Sequence, residues 1–267
     1  MPPTATLDAG AGSIRPGDSY VQSFARGLDV IRSFSGAAPR QTLTEVATRT
    51  GLTRAGARRI LLTLQTLGYV ESEGKLFTLT PRILDLGFAY LSSMPMWNLA
   101  EPAMEALADQ VKESCSAAVL DGADIVYVLR VPTRKIMKIA LGVGSRLPAY
   151  CTSLGRVLLA GLTDDEVVRR LAAAPLEART RHTITDVDAL LAKVHQARRQ
   201  GWAQVNQELE EGLVSIAAPI TNRSGRMVAA LNVSGQANRT SARQMQERML
   251  PPLLAAAQSI SRLLGQA

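Results

Sequence analysis

The stretch from Leu43 to Val70, LTEVATRTGLTRAGARRILLTLQTLGYV, changes its apolar period at Gly68, and that change limits the folds open to it. Before Gly68, apolar residues recur at spacings of three and four, the mark of helices with one buried face. After it the period drops to two. Tyr69-Val70-Glu71 and Leu76-Phe77-Thr78-Leu79 flank the turn Ser72-Glu73-Gly74-Lys75, which predicts a hairpin. Upstream, Val21, Phe24, Leu28, Ile31 and Phe34 predict a first helix, ended by Ser35-Gly36 and kept from restarting by Pro39. A second, short helix is expected from Leu43 to Thr50, with Thr44 as its cap, Val46 and Ala47 on its apolar side, and Gly51 as its stop. The third runs from a cap at Thr53 to Leu67 and buries Ala57, Ile60, Leu61, Leu64 and Leu67. Three helices followed by a hairpin, with only Gly51-Leu52 between the last two, is the layout of a winged helix-turn-helix.

Charge falls where such a layout would use it. The chain carries 30 Lys/Arg against 23 Asp/Glu over 267 residues, a formal charge of +7. Residues 19–82 hold nine basic and four acidic residues, whereas residues 98–267 hold twenty and sixteen. Per residue the N-terminal third is therefore about three times more basic, and no carboxylate lies between Glu45 and Glu71. Thr53 and Arg54 open the third helix, and Arg58 and Arg59 continue its exposed side. Arg54 and Arg58, four apart, point the same way. An arginine fork bonds two acceptors on a guanine edge in the major groove. Lys75 at the hairpin tip, Arg40 and Arg49 are placed to hold phosphates, which positions a duplex without reading it.

Residues 1–18, rich in Pro, Gly, Ala and Thr, are expected to be a disordered arm, followed by a DNA-binding domain at 19–81. A linker helix is expected at 82–97, opened by Pro81, with Phe88, Leu91 and the surroundings of Trp97 as exposed apolar positions. From 98 to 267 helix and strand signals alternate. Helices are predicted at Asn98–Lys112, Leu154–Ala160, Asp164–Ala173, Asp186–Gln200 and Ser241–Leu264, the last broken at Pro251-Pro252. Strands are predicted at Ala117–Leu120, Ile125–Arg130, Lys135–Leu141, Ala203–Gln207, Val214–Pro219 and Met227–Ser234. The fold class is α+β, the second domain having about six strands in a mixed or antiparallel sheet.

Cys115 and Cys151 are the only cysteines, which excludes a disulfide framework and leaves a structural zinc short of ligands. A nucleophilic triad needs a base, and only His182 and His195 are available, the first in a charged loop and the second on a solvated helix face. Neither a phosphate-cradling glycine motif nor a metal cluster is present, so no catalysis, cofactor or metal is expected. No apolar run reaches the ~18 residues that span a membrane, and the N-terminus lacks the pattern of a signal peptide, so a cytoplasmic location is expected. Gly56 inside the third helix costs roughly 0.5–1 kcal/mol relative to Ala. Thr152-Ser153-Leu154-Gly155 opens a helix straight after a loop, so free N–H groups and the positive dipole end converge where a carboxylate could bind.

On these residues the chain resembles the IclR family of bacterial transcription regulators. The likeness runs from Leu43–Val70 through Asp121-Gly122, Gly144-Ser145-Arg146-Leu147-Pro148 and Ser153-Leu154-Gly155-Arg156. It extends to Glu208-Leu209-Glu210-Glu211-Gly212-Leu213 and Ile216-Ala217-Ala218-Pro219-Ile220. Glu113-Ser114-Cys115-Ser116 and Asn206-Gln207-Glu208-Leu209-Glu210 are similar to the PcaR/PobR-like subgroup, which controls protocatechuate and 4-hydroxybenzoate catabolism. The resemblance implies a GAF/profilin-like effector domain whose pocket lies between the Ser153 helix and the later strands. It implicates Ser153 and Leu154, Leu213 and Ser215, and Asn232 and Ser234, with Leu141, Leu147, Tyr150 and Leu154 as apolar walls. Val205 stands where some relatives place an acidic pocket residue. Arg130 and Arg146 are either anion contacts or surface charges. The implied partners are a palindromic or repeated operator in double-stranded DNA and a small organic acid such as protocatechuate, 4-hydroxybenzoate or β-ketoadipate. A homodimer or dimer of dimers is implied, and no membrane. The alternatives are a basic protein-interaction module and, last, an enzyme acting on a small carboxylate.

Overall fold

The computed structural model describes residues 20–93, 96–132 and 141–266. The arm at 1–18 and most of the strand expected at Lys135–Leu141 lie outside the described residues. The chain divides into two compact units, the first ending at Ser93 and the second beginning at Met94.

In the first unit α1 (Gln22–Ser33), α2 (Leu43–Thr50) and α3 (Arg54–Thr66) close on Val30, Phe34, Val46, Ala47, Ala57, Leu61, Leu64 and Val70. The cap of α2 is Thr42 rather than Thr44. Thr42 Oγ1 accepts the Glu45 N–H at 3.3 Å, and Glu45 Oε2 accepts the Thr42 N–H at 2.7 Å. This reciprocal pair requires a Glu or Gln three residues after the cap, which position 42 has and position 44 lacks. Gly51 takes φ +66 at the end of α2, a left-handed conformation in which a side chain would be strained. β1 (Arg40–Thr42), β2 (Val70–Glu73) and β3 (Leu76–Leu79) form a three-stranded antiparallel sheet in the order β1-β3-β2, one strand more than the hairpin expected. Val21, Phe24 and Leu67 stay exposed, because they stand at helix ends beyond the reach of the three-helix core. A 3-10 turn at Pro81–Ile83 leads into α4 (Leu84–Ser92), which leaves Leu84, Leu86, Phe88 and Tyr90 exposed.

The second unit comprises α5 (Met96–Val111), β4 (Ser114–Asp121), β5 (Asp124–Val131), β6 (Arg146–Pro148), α6 (Ser153–Ala160), α7 (Asp164–Ala172), α8 (Val187–Gln200), β7 (Ala203–Asn206), β8 (Leu213–Thr221), β9 (Met227–Gln236) and α9 (Ala242–Gln266). Among the described residues the sheet has six strands in the order β6-β5-β4-β9-β8-β7. Every pairing among the described residues is antiparallel, so of the mixed and antiparallel arrangements these strands form the second. α6 packs on one part of this sheet, backed by α8, while α9 packs on β8 and α5 on β4 and β5. With cover on both faces, the centre of β8 is buried without alternation.

Three expectations give way. α9 runs through Pro251 and Pro252 unbroken. Prolines at 251 and 252 leave the carbonyls of Glu247 and Arg248 without their helical donors. Both residues are exposed, so water can take these groups, while Met245, Met249, Leu253 and Ala257 hold both halves against the unit. Trp97 is 4% exposed and belongs to the packing around α5, not to a surface patch. His195 is not simply solvated: its Nε2 lies 2.8 Å from Asp164, whose other oxygen takes Arg198 Nη1 at 2.9 Å. Among the described residues no helix is long and apolar enough to cross a membrane.

Candidate functional site

Two regions carry the residues singled out in the sequence. The first is the exposed side of α3. Thr53 caps it: its Oγ1 accepts the Gly56 N–H at 3.1 Å. A Cβ at Gly56 would stand 3.2 Å from that hydroxyl, so a small residue there leaves the cap undisturbed. Arg54, Arg58 and Arg59 are all exposed, with no ion pair among the described residues. Arg54 and Arg58 share a face, while Arg59 is turned about 100° further round the helix, toward a groove between α1 and α3. Lys75 is exposed beside Gly74 at the hairpin turn, and Arg49 is exposed on the last turn of α2. Arg40 is engaged within the sheet, paired to Glu73 across β3. Replacing Thr53 with Ala should cost about 1 kcal/mol of stability and loosen the arginines behind it. A lower melting temperature together with weaker DNA binding is the expected result.

The second region is a cavity in the second unit, and strand register builds its floor. Arg130 of β5 lies opposite Ser116 of β4, which lies opposite Asn232 of β9. One step along, Ser114, Ser234, Ser215 and Val205 form a second row across β4, β9, β8 and β7. With strands about 4.8 Å apart, these rows lay hydroxyl and amide groups across an otherwise apolar sheet. Tyr127, Leu141, Cys151, Thr152, Ser153, Leu209 and Leu213 complete the lining. Among the described residues Arg130 is the one charged residue in it.

The start of α6 faces this floor. Thr152 Oγ1 accepts the Gly155 N–H at 3.1 Å and donates to the Pro148 carbonyl at 3.1 Å. The N–H groups of Ser153 and Leu154 find no acceptor among the described residues, as the first positions of a helix require. Two further polar atoms are buried without a partner among the described residues, Ser153 Oγ and Asn232 Oδ1, although Asn232 Nδ2 donates to Ser234 Oγ at 3.0 Å. Buried polar groups left unpaired cost stability until something bonds them. Burial pushes the Cys151 thiol up to about 11 and the Tyr127 phenol up to about 12, so both keep their protons at neutral pH. In the closed fold Cys151 is thus a buried thiol rather than a thiolate, and among the described residues no group of His, Cys, Asp and Glu could hold a metal ion.

Six expected pocket residues, Leu141, Ser153, Leu213, Ser215, Asn232 and Ser234, come together here. Leu147, Tyr150 and Leu154 do not. The Leu154 side chain is fully buried in the core, since α6 turns only its first residue toward the cavity. Leu147 packs on the edge of the same core. Tyr150 points away and donates its hydroxyl to the Glu177 carbonyl at 2.7 Å. Arg146 pairs on the surface with Asp121 and Asp124, at 2.6 and 3.3 Å. Ser114 and Ser116 precede the strand expected from Ala117, because β4 starts three residues earlier, and their alternation with Cys115 is the signal that extends it.

Comparison with known proteins decides the lineage. The profile described as the IclR helix-turn-helix domain matches residues 23–74, and that of the bacterial transcriptional regulator IclR C-terminal domain matches residues 88–262. The chain belongs to the IclR family of transcriptional regulators. It is 44% identical over 242 residues to the Pca regulon regulatory protein of Pseudomonas putida, a match covering 90% of this chain and 83% of that protein. A transcriptional regulator from Rhodococcus sp. RHA1 has the same fold with a TM-score of 0.82 and 50% identity, covering 92% of this chain and 98% of that one. An IclR homologue from Microbacterium hydrocarbonoxydans, solved in complex with 4-hydroxybenzoate, has a TM-score of 0.80 and 25% identity, covering 91% and 98%. As an IclR regulator the protein binds DNA and is not an enzyme, which removes both the catalytic and the bare protein-interaction alternatives.

Proposed function

We propose that this regulator controls genes for the breakdown of aromatic acids, and that a small organic acid in the second unit sets its hold on DNA. The observation that carries the reading is the pocket itself: one cation, a polar floor, and two buried polar atoms unpartnered among the described residues at the mouth of a helix. A carboxylate meets the free N–H groups of α6 and the charge of Arg130, while hydroxyl or keto oxygens bond the serines and Asn232. The relative from Pseudomonas putida, named for the pca regulon, and the homologue holding 4-hydroxybenzoate support the same chemical class.

On the DNA side α3 enters the major groove, Arg54 and Arg58 read base edges, and Thr53, Arg59, Arg49, Arg40 and Lys75 position the backbone. The exposed apolar side chains of α4, Phe88 foremost, pair two DNA-binding units into a dimer, or a dimer of dimers, that spans two half-sites. Effector and operator then influence each other reciprocally, by about 1–3 kcal/mol. A cytoplasmic location goes with this role.

Thermal unfolding against protocatechuate, 4-hydroxybenzoate, β-ketoadipate and unrelated acids tests the proposal. An acid at ~100 times its dissociation constant should stabilise the second unit by about 2.7 kcal/mol, a rise of several degrees. Ser234→Leu should abolish that rise. No response to any of the three acids would sink the effector class and leave the DNA-binding role standing.

A further inference from the structure

Arg156 and Glu208 form an ion pair that neither DNA binding nor the pocket lining uses. Arg156 sits on α6 one turn beyond Ser153, and its Nη1 and Nη2 meet the two Glu208 carboxylate oxygens at 2.9 and 2.5 Å. The side chains are only 3% and 8% exposed. A fork-to-fork pair of this kind fixes orientation as well as distance.

Glu208 belongs to the segment between β7 and β8, and this segment, with Leu213 that opens β8, forms one wall of the cavity, its roof, through Leu209 and Leu213. Its backbone is unusual. Gln207 holds φ +59, a left-handed conformation rare in residues other than glycine. The segment is pinned on several sides: Thr180 and Thr183 donate to the carbonyls of Gln207 and Glu208, each at 2.6 Å, and Gly212 N–H donates to Gln207 Oε1 at 2.9 Å. Each of these bonds joins the roof to itself or to the 180–183 loop. Arg156–Glu208 is the side-chain bond that ties it to α6, the helix whose first turn meets the ligand.

We propose that Arg156 and Glu208 are positioning residues for effector binding, holding the Leu209–Leu213 roof at a fixed height over the start of α6. This rests on the cavity being the effector site, but its test needs no effector. Cys151 lies in the lining beneath the roof and is fully buried, while Cys115, equally buried, lies on β4 outside the lining. The two thiols are therefore an internal pair of reporters.

In the full chain, Arg156→Met combined with Glu208→Leu replaces the pair by apolar groups of similar length, a change that often preserves stability. Glu208 raises and Arg156 lowers the Cys151 thiol, so their joint removal takes away two opposing influences on it. The expected result is a melting temperature near that of the unaltered chain, with Cys151 alkylated by iodoacetamide at least about tenfold faster through local opening and Cys115 unchanged. A Cys151 rate equal to that of the unaltered chain, at an unchanged melting temperature, would overturn the proposal: the pair would then only fill space. Should the double variant fail to fold, Arg156→Lys keeps the charge but not the fork. It should give an intermediate Cys151 rate, and no acceleration there would overturn the proposal equally.

Discussion

Arg58→Ala should weaken binding to the operator by about 1–3 kcal/mol, the contribution of one good bidentate contact to a guanine edge. That is roughly fivefold to 150-fold in affinity. Combining it with Arg54→Ala should bring operator binding down to the level of a random duplex, because the two side chains share the reading face of α3 and both are free of ion pairs among the described residues. Lys75→Ala should behave differently. A phosphate contact weakens specific and random binding alike and lowers the salt slope by about one. Fluorescence anisotropy on the protein's own upstream DNA and on a scrambled duplex, over a salt series, separates the two cases. Equal losses on both duplexes with Arg58→Ala would reduce this residue to a backbone contact. The melting response to the effector should survive the substitution, since Arg58 lies in the first compact unit and the cavity in the second. Loss of both responses would refute two separable sites.

The DNA-binding unit was legible because each of its elements signals itself locally. The switch of period at Gly68, the Gly51 stop and the Thr53 cap each correspond to a feature of the fold. What escaped there was β1, whose three residues are too few for an alternation to show. β6 was hidden for the same reason. In the second unit the strands declared themselves as apolar runs, but the pocket lies where those runs falter. Ser114 and Ser116 interrupt the apolar pattern of β4, and Ser215 and Asn232 sit inside buried strands. Polar residues in a core lower the strand signal and mark the site at once. Tyr150 lies outside the cavity for another reason. Between a strand and a helix no period governs side-chain direction, so neighbours in sequence point different ways: Tyr150 toward Glu177, Cys151 into the cavity.

Among the described glycines, Gly155→Ala should be the most damaging exchange. On an exposed helix the exchange would stabilise by roughly 0.5–1 kcal/mol, since glycine wastes backbone entropy. Here the sign reverses. A Cβ at Gly155 would stand 2.2 Å from the Ala149 carbonyl oxygen and 2.3 Å from its Cα. Those are backbone atoms, so no rotamer can relieve the contact. α6 is buried along its whole length and cannot retreat without moving the sheet beneath it. Overpacking of this kind costs about 3 kcal/mol, or roughly 6–12 °C for a unit of this size. The function should suffer further, because the displaced segment carries Cys151, Thr152 and Ser153 into the pocket. Any protein that still folds should therefore lose its melting response to the effector. Gly142→Ala is the control: it belongs to the same unit, has nothing within 4 Å of its Cβ position, and should change stability by less than about 0.5 kcal/mol. If both variants melted together, close approach of α6 to Ala149 would not be what positions the pocket.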